Sequence, residues 1–256
     1  MRVFIRAIRL LNHLCIGLFM ITFVLPNKNN SDKAQVINSW SKQLARIFNI
    51  SVVVHGKPPC LAPQNQMFLS NHISWFDIFA LYTVFNSRFI AKSDIQSWPV
   101  INKLCAGAGT FFIQREKIKD TKRVSDSITT ALKNGDSVTF FPEGTTTDGT
   151  YLKPMKTSLI QSIVDSQGRI QPIYLNYRER NGKHSAAAAY IDDITMGQSL
   201  HTLLSSDGIE VHLHFLASID ASQHDRSSIS SAIKASLHEA HVNFHQSSDK
   251  HALPEH

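Results

Sequence analysis

The chain reads as an α/β protein, a largely parallel sheet flanked by helices, with an N-terminal membrane-attached helical segment in front of it. Three observations carry this. From Ile50 onward, short β-branched or aromatic runs alternate with stretches of helical periodicity. Strands separated by helices imply parallel pairing, because a parallel neighbour is reached only by a crossover. And 256 residues suffice to bury one full core and leave an appendage. The expected divisions are residues 1–48 for the N-terminal segment, 49–246 for the main domain and 247–256 for a mobile tail.

Arg2, Arg6 and Arg9 precede an uncharged, mostly apolar run from Leu10 to Asn27. That length is near the lower limit for a membrane span, and the basic flank would keep the N-terminus cytoplasmic if it spans. A signal peptide is the rival reading, but Val24-Leu25-Pro26-Asn27 lacks the small-residue cleavage pattern. The expectation is a membrane-attached helix, spanning or half-inserted. After Asn27-Lys28-Asn29-Asn30, Ser31 is a candidate cap for a helix carrying Ile37, Trp40, Leu44 and Ile47 on one side. This helix can pack on the main domain or lie on the bilayer.

The main domain starts with a strand at residues 51–54 and a loop containing Pro58, Pro59 and Pro63. Met67-Phe68-Leu69 closes a second, buried strand, and a helix begins near Ser74 with Trp75, Phe76, Ile78, Phe79 and Leu81 as its apolar surface. Residues 88–91 form a strand ending at Lys92, and Trp98-Pro99-Val100 leads into a helix to about Cys105. Residues 110–113 form a strand ending at Arg115, and Val124, Ile128 and Leu132 mark a helix stopped by Asn134-Gly135. A strand at 138–141 runs into Pro142-Glu143-Gly144-Thr145. Further strands are expected at 172–176, 187–191 and 210–215, and a closing helix carries Ile229, Ile233 and Leu237.

The net charge of +6 and pI near 9.3 suit nucleic acid, an anionic membrane or anionic substrates. No zinc-finger spacing, RNP aromatic motif or dense basic helix is present, so nucleic acid is not expected as a partner. Cys15, Cys60 and Cys105 are scattered and odd in number, which fits a reduced, cytosolic main domain. No Gly-rich nucleotide loop occurs, so no cofactor is implied. His238, His241 and His245 share helical spacing, but no carboxylate or cysteine completes a site beside them, and no metal is expected.

The chemistry concentrates in Ser70-Asn71-His72-Ile73-Ser74-Trp75-Phe76-Asp77. His72 falls in the turn leaving a strand, where open α/β sheets place their sites. On one straight helix His72 and Asp77 would be about 140° apart. With His72 just ahead of the helix, Asp77 in the first turn reaches back to the imidazole, fixes its tautomer and makes the other ring nitrogen a general base. Ser74-x-x-Asp77 also fits a capping box, so Asp77 can equally serve the helix N-terminus. Three strand ends carry polar groups: His72 with Asp77, Gly109 through Arg115, and Glu143-Gly144-Thr145.

These motifs resemble those of the glycerolipid acyltransferase family, which includes lysophosphatidate acyltransferases. Asn71-His72-x4-Asp77 resembles its N-H-x4-D motif, Gly109-x-x-Phe112-x-x-Arg115 its second, Phe141-Pro142-Glu143-Gly144-Thr145 its third and Ile170-x-Pro172-Ile173 its weaker fourth. Order and spacing agree from about residue 50 to 175. The resemblance implies an acyltransferase domain in phospholipid biosynthesis, with His72 as base and Asp77 holding it. It implies that Arg115, given room by Gly109, binds the acceptor's head, and that Glu143 orients the acceptor while turn amides meet the oxyanion. Asn71, Phe112, Pro142, Gly144 and Thr145 come with the motifs, and Lys92 adds charge nearby. The implied partners are an acyl carrier protein or coenzyme A thioester as donor, a lysolipid acceptor and the membrane surface, with the catalytic domain on the cytoplasmic face of the inner membrane.

Many family members that use phosphate acceptors carry Arg-Ser after the third motif, whereas this chain has Thr146-Thr147. That turn, Asn71 through Asp77 and Ala91-Lys92-Ser93 look more like bacterial lyso-ornithine-lipid acyltransferases. Two other readings of the same residues are an inert lipid-binding scaffold and a lysolipid hydrolase.

Overall fold

Five parallel strands set the frame, and their C-terminal ends share one edge. The computed structural model describes residues 1–93, 99–114 and 118–250. Among the described residues the strands are β1 (Ile50–Gly56), β2 (Gln66–Ser70), β3 (Arg88–Lys92), β4 (Phe111–Ile113), β5 (Ser137–Phe140), β6 (Arg169–Glu179), β7 (Ile209–Phe215) and β8 (Ile219–Asp220). They form one sheet in the order β1-β7-β6-β2-β5-β3-β4, with β8 beside the start of β6. Strands β6, β2, β5, β3 and β4 are mutually parallel. β7 and β8 run antiparallel to β6, and β1 runs parallel to β7.

The helices are α1 (Arg2–Phe19), α2 (Asn30–Phe48), α3 (Asp77–Tyr82), α4 (Pro99–Gly107), α5 (Ile118–Lys133), α6 (Gln161–Ser166), α7 (Met196–Ser205) and α8 (Arg226–Lys250). One core joins Leu10, Phe48, Leu81 and Leu203 of α1, α2, α3 and α7 to Phe68, Leu175 and Leu213 of the sheet. The other joins Ile128, Ile163 and Ile233 of α5, α6 and α8 to Met67, Leu69, Val138 and Tyr174. Period-two alternation sends Ile173, Leu175 and Tyr177 of β6 into the first core and Tyr174 into the second.

α1 continues through a π turn (Met20–Val24) and a 3-10 turn (Leu25–Asn27), giving one apolar helix long enough to cross a membrane. It is docked along its length. Arg6 Nη1 donates to the carbonyls of Leu204 and Ser206 at 2.8 and 2.9 Å. His13 stacks on Trp40 with centroids 4.4 Å apart. A Cβ on Gly17 would lie 2.8 Å from Trp40 Nε1, so glycine there permits the helix crossing. Phe4, Ile5, Ile8, Leu11, Phe19 and Phe23 remain exposed.

Several expectations need correction. The cap of α2 is Asn29, whose Oδ1 accepts Asp32 N at 2.9 Å, rather than Ser31. The helix after His72 starts at Asp77 rather than near Ser74. Residues 187–191 are not a strand: both edges of β7 are already taken by β1 and β6. Tyr190 N bonds instead to Ile73 O at 2.9 Å, and Ala188 and Ala189 pack into the core as a turn. Helix α8 runs past residue 246 to Lys250, while residues 251–256 lie outside those described.

Candidate active site

Because β2 and β5 are parallel neighbours, the turns that follow them meet at one edge of the sheet. The first turn carries His72. Its Nδ1 lies 2.8 Å from Asp77 Oδ2, which also accepts the amides of Ile73 and Ser74 at 2.8 and 2.9 Å. A carboxylate only accepts, so the ring proton sits on Nδ1 and Nε2 keeps its lone pair. Asp77 Oδ1 accepts the Tyr177 hydroxyl at 2.7 Å. Asp77 is fully buried, while the His72 side chain is 18% exposed, enough for Nε2 to meet a substrate. The imidazole stacks flat on Phe141 at 3.8 Å, which fixes its second face. Asp77 thus holds both the imidazole and the amides of the turn ahead of α3.

Glu143, on the turn after β5, is 5% exposed. Its Oε1 accepts His72 N at 3.2 Å and its Oε2 accepts Lys153 N at 3.1 Å. Expected to orient the acceptor, it has both oxygens committed to backbone, and it braces the His72 turn. Burial, with Asp77 adding to it, pushes this carboxyl up to about 7 against the two amides. Asn71 is likewise turned inward: its amide donates to Leu175 O at 2.8 Å and accepts Leu175 N at 2.7 Å, tying the end of β2 to β6.

In the third-motif turn, Pro142 is buried and its carbonyl accepts Lys156 N at 2.9 Å. Gly144 has a φ of 76° and donates to Phe141 O, and Thr147 donates to His72 O at 2.9 Å. The Thr146 hydroxyl donates to Tyr190 O, and Thr145 is exposed. Lys92 is exposed at the end of β3, and Phe112 is half-buried on β4. Gly109 has a φ of 73°, and its carbonyl accepts Arg88 Nε at 2.7 Å. Arg115 lies outside the described residues. The residue the sequence reading missed is Tyr177. Its signal was the alternation of β6, which carries the fourth-motif Ile173 onto the same face as Leu175 and Tyr177.

Among the described residues, an almost wholly apolar pocket of about 60 Å³ opens between α1, α2, α3 and α4, lined by Gly17, Ile21, Trp40, Phe79, Tyr82 and Leu104. A second pocket, of about 70 Å³, lies along Phe141, Pro142 and Lys156.

A family model described as Acyltransferase matches residues 51–176. A 1-acyl-sn-glycerol-3-phosphate acyltransferase of Neisseria meningitidis serogroup B is 34% identical over 183 residues, 71% of each chain. A lyso-ornithine lipid O-acyltransferase of Pseudomonas aeruginosa is 29% identical over 235 residues, covering 90% of this chain and 89% of the relative. The crystal structure of the 1-acyl-sn-glycerophosphate (LPA) acyltransferase PlsC from Thermotoga maritima has the same fold. It aligns with a TM-score of 0.60 at 18% identity, over 92% of this chain and 97% of that one. Sharing that much length at that identity, the chain belongs to the acyltransferase family and is an acyltransferase.

Proposed function

We propose that the enzyme moves a fatty acyl group from an acyl carrier protein or coenzyme A thioester to a lysolipid hydroxyl at a membrane surface, in membrane lipid biosynthesis. The carrying observation is the buried Asp77 that holds His72 Nδ1 and leaves Nε2 to act as base. As the hydroxyl oxygen attacks the thioester carbonyl, its proton passes to Nε2 and Asp77 stabilises the imidazolium. Collapse of the tetrahedral intermediate breaks the C–S bond, and the imidazolium returns the proton to the departing thiolate. The amides of Thr145 and Thr146, unlike those of Gly144 and Thr147, have no internal acceptor among the described residues and are the oxyanion donors in this reading.

Transfer is direct in this reading. Ser74 is fully buried, and its Oγ accepts Phe76 N, so it is no nucleophile. The acceptor head is anionic and met by Arg115, with a lean toward lyso-ornithine lipid over lysophosphatidate. A carboxylate is served by one bidentate arginine, and the Thr146 hydroxyl is tied to Tyr190 O rather than offered to a head group. α1 lies half-inserted on the cytoplasmic face of the inner membrane. A helix docked on α2, α4 and α7 along its length keeps one face on the protein and has its exposed Phe4, Ile8, Leu11 and Phe23 for lipid.

Purified enzyme offered both acceptors with the same acyl thioester tests the reading. Acyl transfer that disappears in a folded His72→Ala protein supports the mechanism, and near-normal transfer overturns it. A strong kinetic preference for lysophosphatidate would overturn the acceptor lean alone. Intact mass after incubation with donor alone should show no acyl adduct.

A further inference from the structure

The reverse face of the sheet carries a cluster that acyl transfer leaves unused. On β7, Glu210, His212 and His214 alternate onto one face, and the register sets Ser51, Val53 and His55 of β1 beside them. On the other side of β7 the opposed residues are Arg178, Asn176 and Tyr174 of β6. His55, His212 and His214 each offer a ring nitrogen within 4.8 Å of the others. His55 Nε2 lies 2.9 Å from His212 Nδ1. His212 Nε2 lies 3.1 Å from Glu210 Oε2. The Nε2 of His214 is buried and has no partner among the described residues.

We propose that His55, His212 and His214 form a binding site for a divalent transition metal of the zinc type. Three imidazoles are a donor set such an ion favours, with water in the fourth position. Glu210 completes the arrangement. By accepting a hydrogen bond from His212 Nε2–H it keeps the proton on Nε2 and the lone pair on Nδ1, the atom that faces His55, and so orients the ligand as outer carboxylates do at zinc sites.

Zinc–nitrogen bonds of about 2.0–2.1 Å require tetrahedral ligand atoms to stand about 3.4 Å apart. The cluster reaches that by side-chain rotation. His55 and His214 are stacked at 4.2 Å and 8°, and loading turns His55 out of the stack so that both lone pairs meet the ion. Arg178 brings a positive charge to this face. It stands opposite Glu210 in register, which offsets its charge, and its guanidinium lies over Phe244 of α8 at 4.1 Å.

A second observation points to a ligand. Asn176 is fully buried, opposite His212 in register, and neither its Oδ1 nor its Nδ2 has a partner among the described residues. A polar side chain in that state needs a further polar group beside it, which metal-bound water supplies. The ion would clasp edge strand β1 to β7, on the opposite face of the sheet from Tyr177 and Asp77.

The test uses the full chain, purified without a tag or a metal-affinity step, stripped with chelator and titrated with Zn²⁺ alone. One equivalent should bind and raise Tm, because a ligand of the folded state stabilises it. Glu210→Gln should weaken binding about 10–100-fold, and His212→Ala and His214→Ala should abolish it. A protein with His238, His251 and His256 replaced by Ala should bind as before. No stoichiometric binding to the parent chain overturns the proposal, as does binding that survives in folded His212→Ala or vanishes with the α8 and tail histidines. Should the alanine variants fail to fold, His55→Gln and Glu210→Gln decide it. Co²⁺ in place of Zn²⁺ adds a spectrum: tetrahedral visible bands are expected, and their absence counts against the site.

Discussion

Asp77 accepts four hydrogen bonds: from His72, from the amides of Ile73 and Ser74, and from Tyr177. The imidazole and the turn are therefore held by the same group, and substitutions should separate their roles. His72→Ala should cut turnover by about 10²–10⁴ with little change in Tm, since the ring is partly exposed. Asp77→Asn should lose turnover far more than stability, because its oxygen can still accept the Ile73 and Ser74 amides while its NH2 donates to the Tyr177 hydroxyl, but the imidazolium loses its counter-charge. Tyr177→Phe is a milder case. Its hydroxyl, held protonated by burial and by Asp77, orients the carboxylate from behind. Its loss should lower kcat more than it raises KM for either substrate, with a fall in stability of about 1 kcal/mol. His72 and Asp77 were legible because their partnership is local, five residues apart. Tyr177 lies a hundred residues from Asp77, and only strand alternation could have pointed to it. Glu143 was legible as a motif residue but its facing was not, since burial depends on the packing around it. Because its folded pKa of about 7 exceeds the ordinary 4.5, the folded chain holds a proton that the unfolded chain has released. Its stabilising effect is therefore full below about 4.5 and lost as pH rises toward about 7. The Tm of the parent should fall relative to that of Glu143→Gln between about pH 5 and pH 7, and a flat difference would contradict the raised value.

The helix α1 divides its surface between protein and surroundings, and each face has its own test. Phe4→Glu with Leu11→Glu changes only exposed positions. It should release the protein from anionic vesicles while leaving Tm nearly unchanged, as measured by co-sedimentation and thermal melting. Gly17→Leu acts on the other face, where Trp40 already fills the space a side chain would need. It should lower Tm, because the crossing of α1 over α2 must open. An unchanged melting point would mean that this contact carries no weight. The basic flank and apolar run showed an apolar helix in the sequence, but not that Arg6 reaches the carbonyls after α7. Contacts across about two hundred residues leave no local pattern. The run at 187–191 misled for a related reason: a short apolar stretch such as Ala187-Ala188-Ala189-Tyr190-Ile191 fits a buried turn as well as a strand, and no ladder position beside β7 was left for it.

The layered fold was readable because alternation of strand and helix dictates a mostly parallel sheet. The antiparallel insertion of β7 and β8 beside β6 was not, since strand order is set by packing between distant segments. One result of that order concerns the sequence of events at synthesis. Among the described residues edge strand β1 pairs with β7 only, Ile50 opposite Ile209, and Arg6 of α1 is held by carbonyls that immediately precede β7. Both early segments thus leave the ribosome before their partners are made. Such long-range closures come late in folding. For most of translation α1 has only α2 and then α4 to dock on, and the rest of its apolar surface is open. With α1 as the proposed anchor, a nascent chain made beside a bilayer would meet lipid first and protein second. Anchoring would then precede folding, and the domain would assemble on a helix already immersed.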